Sequence, residues 1–335
     1  MNRSSLVLVF TFAACAPPDQ QALLDTKTYV DTNLDALVSA STALCVAAPA
    51  PAAAGWNPTT HAAAVTTMRA EWKKARVSYE RVEGSIAVLF PELDESTDQR
   101  YDGFLENATD TNLFDGEVVT GVHGIERILF ADQITAEVRT FEEGLGSKYV
   151  AAAFPANEAQ ARDFKEKLCA KLVADVKTLQ TQYQPLALDT ASAFRGIIGS
   201  MEEQLEKTTF AATGEEESRY AHHTLADMRA NLEGAAATYE AFRPWLQGKG
   251  ETALDQEIVT GLARVKAGFS VVTGDALPTP PRTWSSVNPS AADRRTPFGK
   301  LYTLVETETA TTGTSLVASM GKAADALGIP ALPGT

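Results

Sequence analysis

Residues 120–130 read TGVHGIERILF, and within them His123 and Glu126 stand three positions apart. At about 100° and 1.5 Å per residue, two such side chains on a helix lie roughly 60° apart and about 4.5 Å along the axis, so both reach one small object. An imidazole beside carboxylates is a donor set for a borderline or hard cation such as iron or zinc. The same spacing also makes an ordinary ion pair, and a chain with four histidines and 43 acids contains such patterns by chance. Val122, Ile125 and Leu129 form the apolar stripe that His123 and Glu126 flank, while Gly121 and Gly124 remove bulk on either side of the histidine and let another helix or a ligand approach.

Two further segments carry polar groups where apolar ones are expected. In EWKKARVSYERVEGSIAVLF, the residues Trp72, Arg76, Tyr79, Glu83, Ile86 and Phe90 recur at helical spacing, which places Arg76 and Glu83 inside a buried stripe. An unpaired charge there costs several kcal/mol, so each needs a partner, either the other or a group on a neighbouring helix. In FPELDESTDQRYDGF, Asp98 and Asp102 are spaced i, i+4 and share a helix face, with Arg100 pointing elsewhere. Asp94 just before them suits a helix cap, and the whole acidic run also reads as a solvated face.

The elements that must position these residues are helical throughout. An amphipathic stretch covers about 19–46 and ends at AAPAPAAAG; a second helix runs from about 58 to 90 and stops at Pro91. Helices follow at about 96–107, 120–140, 155–183, 186–207, 216–246, 251–272 and 297–327, with a proline-rich loop at about 274–296 that acts as a flap or a tether. In the 216–246 helix, Leu225, Met228, Leu232, Ala235, Tyr239, Phe242 and Leu246 make a core stripe, and Asp227 and Asn231 form a polar pair off it. His222 and His223 fit a structural role there, and His61 a helix surface. The expected architecture is all-α, two packed helical bundles over residues 15–150 and 151–335.

The N-terminus, MNRSSLVLVFTFAACAPP, has one early charge at Arg3, an apolar run too short to span a bilayer, and small residues before Cys15. It reads as a lipoprotein export signal over residues 1–14, with Cys15 as the lipidated first residue of an extracytoplasmic, membrane-anchored chain. Cleavage deletes only Arg3 from the 29 basic residues, leaving 28 against 43 acids. Without a Lys/Arg cluster, this balance argues against nucleic acid and suits cationic ligands. Cys45 and Cys169 remain and are able to pair outside the cytosol; the sequence leaves that pairing open.

Taken in order, WKKARVSYERVE, FPELDESTDQRYDGF, the G-x-H-x-x-E of Gly121, His123 and Glu126, and LADMRANLEGA resemble the imelysin-type, EfeO-like family over about residues 20–330. The resemblance implies two helical bundles with the motif near their interface, in an exported and often lipid-anchored protein. It implies His123 and Glu126 as metal ligands, with Glu83, Asp98 and Asp102 nearby and Gly121, Arg76 and Arg100 in support. The cupredoxin-like N-terminal domain of some iron-uptake members has no counterpart here. The implied function is capture of a metal cation, iron above zinc or another divalent ion, and its transfer to an iron permease or transporter. Two alternatives stay open: a metallopeptidase, although H-E-x-x-H and a second site histidine are missing, and a cleft protein that binds polysaccharide or peptide.

Overall fold

The computed structural model describes residues 16–332; Cys15 and the export signal expected at 1–14 lie outside them. Every regular element among the described residues is helical. The first, α1 (Pro18–Ala47), buries Val30, Leu34, Leu37 and Leu44 along one stripe and ends at the Ala/Pro segment. The helix expected over 58–90 is instead two, α2 (Ala62–Glu80) and α3 (Glu83–Leu89), because Val82 leaves the helical region at φ −121° and ψ −6°. Short helices α4 (Pro91–Asp98), α5 (Tyr101–Phe104), α6 (Gly121–Leu129) and α7 (Ala136–Gly144) follow. Next come α8 (Glu158–Asp163) and, after a π-helical turn, α9 (Cys169–Tyr183).

The second half contains α10 (Thr190–Phe210), α11 (Thr224–Gly248), α12 (Thr252–Ser270), α13 (Pro297–Glu308) and α14 (Leu316–Leu327). The apolar stripe expected on α11 is buried from Leu225 to Leu246. Its start is eight residues later than the pattern predicts, and residues 216–223 form turns instead. The helix expected over 297–327 also divides, since the Ser315 hydroxyl accepts the Ala318 N–H and caps a fresh start.

Packing joins the two halves. Helix α1 lies against α2, α9 and α11, while α6 is wedged among α2, α4 and α9. Helices α10 to α14 pack on one another, and one large cluster of buried apolar residues runs from Ala22 to Ile329, with Tyr101, Leu105 and Val119 forming a small second cluster. Although α9 lies beyond the boundary expected near 150, a Cys45–Cys169 disulfide joins it to α1, closing a loop of 124 residues. The proline-rich segment is pinned as a tether: the Asp275 carbonyl accepts the N–H groups of Leu225 and Ala226, its carboxylate meets Lys73 at 2.7 Å, and Trp284 sits edge-on to Phe298 and Tyr302.

Candidate metal centre

Two close backbone approaches bring the polar residues together. Gly121 begins α6 at φ +73°, and a Cβ there would lie 2.3 Å from the Thr97 carbonyl oxygen, so α6 starts directly against the end of α4 and sets His123 beside Asp98. Gly84 and Gly196 meet backbone to backbone, a Cβ on Gly196 falling 1.9 Å from the Gly84 oxygen. That contact seats Glu83 of α3 beside Lys207 of α10.

Arg76, fully buried on α2, is the hub. Its guanidinium forms short ion pairs with Glu80, Asp98 and Glu217, and its Nε lies 3.5 Å from Asp227. Lys207 reaches Glu217 at 2.7 Å, Glu80 at 2.8 Å and Glu83 at 3.5 Å. Asn231 fixes the inner side: its amide donates to Glu83 at 2.6 Å, and its oxygen accepts from Gln204 at 2.8 Å and from Lys207 at 3.1 Å. Four carboxylates, those of Glu80, Glu83, Asp98 and Glu217, thus surround two cations, and full ionisation leaves a negative excess.

His123 faces this cluster. Its Nδ1 is 2.7 Å from Glu126 Oε2, and Glu126 Oε1 accepts the N–H groups of Tyr220 at 2.9 Å and Ala221 at 2.8 Å. Burial pushes the Glu126 carboxyl well up while the Ala221 N–H pulls it back. We place the shared proton on Nδ1, because a proton on Nε2 would have no acceptor of good geometry. Nε2, on a side chain only 1% exposed, has no hydrogen-bond partner and lies 3.5 Å from Asp98 Oδ1. Donor atoms of Asp98, His123 and Glu217 all lie within 4.8 Å of one another, as do those of Glu80, Glu83, Asp98 and Glu217. Donors on opposite sides of a bound ion stand about 4–4.6 Å apart, so modest side-chain shifts close either set around one cation.

A cavity of about 390 Å³ adjoins the cluster, lined on its inner side by Glu83, Asp98, Glu217 and Lys207. Its outer acids, Glu95, Glu203 and Glu206, are exposed. These acids, with Arg100 among them, give the cavity mouth an acidic lining that favours cations over anions.

The sequence model of the imelysin family matches residues 21–283. The chain belongs to the imelysin family. It is 30% identical over 204 residues to the iron uptake system component EfeO of Escherichia coli strain K12, and equally to that of Shigella flexneri. The match covers 61% of this chain and 42% of each relative, so the chain spans less than half of those curated proteins.

Within this imelysin the expected site residues divide. His123, Asp98 and Glu83 converge, with Arg76 at their centre. Glu126 lies in the same cluster, but both its oxygens are engaged, Oε2 with His123 Nδ1 and Oε1 with the N–H groups of Tyr220 and Ala221. Asp102 departs: α4 ends at Asp98, Gln99 is extended at ψ 133°, and the carboxylate turns to Arg219 at 2.5 Å. The i, i+4 relation to Asp98 needed an unbroken helix. Arg100 stands on the cavity rim, 3.5 Å from Glu206 and stacked over Phe210. His223 is elsewhere, against Trp72 and 3.3 Å from Asp275. Glu80, Glu217 and Lys207 carry no motif signal; the only sequence hint for Glu217 was its place in the acidic run EEES before α11.

Burial leads the shift at Glu83, lifting its carboxyl from 4.5 to about 8 against the opposing charge of Lys207 and with the support of Glu203 and Glu217. The folded chain therefore keeps a proton that the unfolded chain releases near pH 4.5. The resulting stabilisation is complete below that value and is lost as pH rises through about 8. His123, held well down by burial and then by Arg76, is neutral when folded and loses its contribution only below 6.5, where the unfolded imidazole protonates. In chelator-treated buffer the melting temperature is expected to fall between about pH 6.5 and 8.5. A flat or rising profile in thermal melts contradicts ionisation of the buried Glu83 carboxyl over this range.

Proposed function

We propose that this imelysin captures an iron cation as cargo outside the cytoplasm and holds it between His123 Nε2, Asp98 and Glu217, with Glu83 and Glu80 on the inner side, for transfer to an uptake permease. The observation that carries the reading is the His123 Nε2 atom, buried, without a hydrogen-bond partner, 3.5 Å from Asp98 and grouped with Glu217; with the ring proton on Nδ1 it offers a lone pair. A ligating histidine characteristically donates its other N–H to a carboxylate, which is the part Glu126 plays. One nitrogen with several carboxylate oxygens suits iron, and the matched relatives are named as iron uptake components. Iron here is cargo: the acidic cavity supplies an approach, Arg76 keeps the acids assembled before loading, and protons held by carboxyls such as Glu83 leave as the ion enters. Lipid on Cys15 would tether the chain outside a membrane; no described helix is long and apolar enough to cross one. A Cys15→Ser chain is expected to carry no lipid, read by intact mass against the wild type.

Equilibrium dialysis against buffered iron, followed by elemental analysis, tests the reading. One tightly held equivalent per chain is expected, weakened at least about tenfold in Asp98→Asn, which keeps the shape but removes a charged donor, since loss of a ligand costs no less than loss of an outer-shell partner. Iron retention equal in both proteins would refute the assignment.

A further inference from the structure

Lys207 is surrounded as a metal ion would be. Its ammonium, on a residue 6% exposed, has oxygens of Glu217 at 2.7 Å, Glu80 at 2.8 Å, Asn231 at 3.1 Å and Glu83 at 3.5 Å. Three of these belong to the four carboxylates whose oxygens lie close enough together to share one cation. We infer that Lys207 is the resident competitor for the cargo: its ammonium occupies an inner cation position, must leave for the ion to engage these acids, and thereby sets the affinity of the site. The inference rests on reading the cluster as a cation site.

The two bases of the cluster differ in a way that fits this division of roles. Arg76 is fully buried, gripped by acids from several directions, and takes no part in lining the cavity. Its planar fork has no route out. Lys207 lines the cavity, and its stem is four flexible methylenes ending in a compact charge. Glu203, one helical turn earlier on α10 and exposed, lines the same cavity and offers a carboxylate for the displaced ammonium. A cation entering among Glu80, Glu83 and Glu217 meets like charge at contact distance, so the two cannot share these oxygens. When the site is unloaded, the same ammonium relieves repulsion among the acids and keeps the donors in place.

The test uses the full chain and iron or zinc alone as probe. Lys207→Met, which keeps length and removes charge, is expected to bind the cation at least tenfold more tightly than wild type, whereas Lys207→Arg binds no more tightly. In the wild-type protein, amine labelling read by mass spectrometry should show Lys207 becoming several-fold more reactive on loading, with surface lysines unchanged as internal controls. The labelling arm needs no substitution, so a Lys207→Met chain that fails to fold still leaves the idea open to refutation. Cation binding that depends on His123 while Lys207 stays unreactive, or equal or weaker binding by a folded Lys207→Met, overturns the role of Lys207 and leaves the site standing. Absence of binding in wild type and Lys207→Met alike overturns both.

Discussion

Replacing Arg76 with methionine is expected to lower the unfolding free energy by about 3–5 kcal/mol, because breaking a buried ion pair from one side strands the charges on the other. Here the stranded groups are Glu80, Asp98 and Glu217, with Asp227 3.5 Å from the guanidinium. Lys207 alone cannot neutralise them. Methionine fills much of the volume without forming a hydrogen bond, so the loss is electrostatic and not a cavity effect. It should be larger at pH 8 than at pH 5, where the carboxyls can take up protons, and a bound cation should recover part of it, about 2.7 kcal/mol at a hundredfold excess over its dissociation constant. Denaturant unfolding with and without cation measures both. A loss below about 1 kcal/mol at pH 8, the range of exposed pairs, contradicts the role of Arg76 as hub.

The second large effect concerns a residue outside the open donor set. Glu126→Gln is expected to weaken cation binding nearly as far as His123→Ala, by about 100-fold. The amide oxygen keeps the N–H bonds of Tyr220 and Ala221, which turns the amide NH₂ toward His123 Nδ1. Nδ1 must then accept, the ring proton moves to Nε2, and the lone pair facing Asp98 disappears. The histidine remains in place with the wrong tautomer. If Glu126→Gln binds like wild type, the orienting role assigned to Glu126 is wrong.

What the sequence conveyed follows from the range of the signal. His123 and Glu126 were legible because both sit on one short helix, and Arg76 because a charge in an apolar stripe announces burial. Glu83 was reached by a stripe drawn through Val82, where the helix breaks; its burial was right, and its place comes from the Gly84–Gly196 contact. Asp102 failed for the reverse reason, since Gln99 interrupts the helix on which its pairing with Asp98 depended. Glu80, Lys207 and Glu217 were invisible. Glu80 lies one position from Tyr79 off the apolar stripe, Lys207 resembles any helix-surface lysine, and Glu217 lies in turns that periodicity assigned to a helix. Their convergence is made by α10 and the 211–223 turns packing against α2 and α3, which no local pattern encodes.

The central claim is that the buried nitrogen of His123 becomes a ligand of the cargo. X-ray absorption at the iron edge of the loaded protein tests it most directly. The expected spectrum shows a shell of mainly oxygen donors with the outer-shell scattering of one imidazole, and that scattering is lost in His123→Ala. An all-oxygen shell without imidazole in wild type, at full iron loading, would contradict the claim.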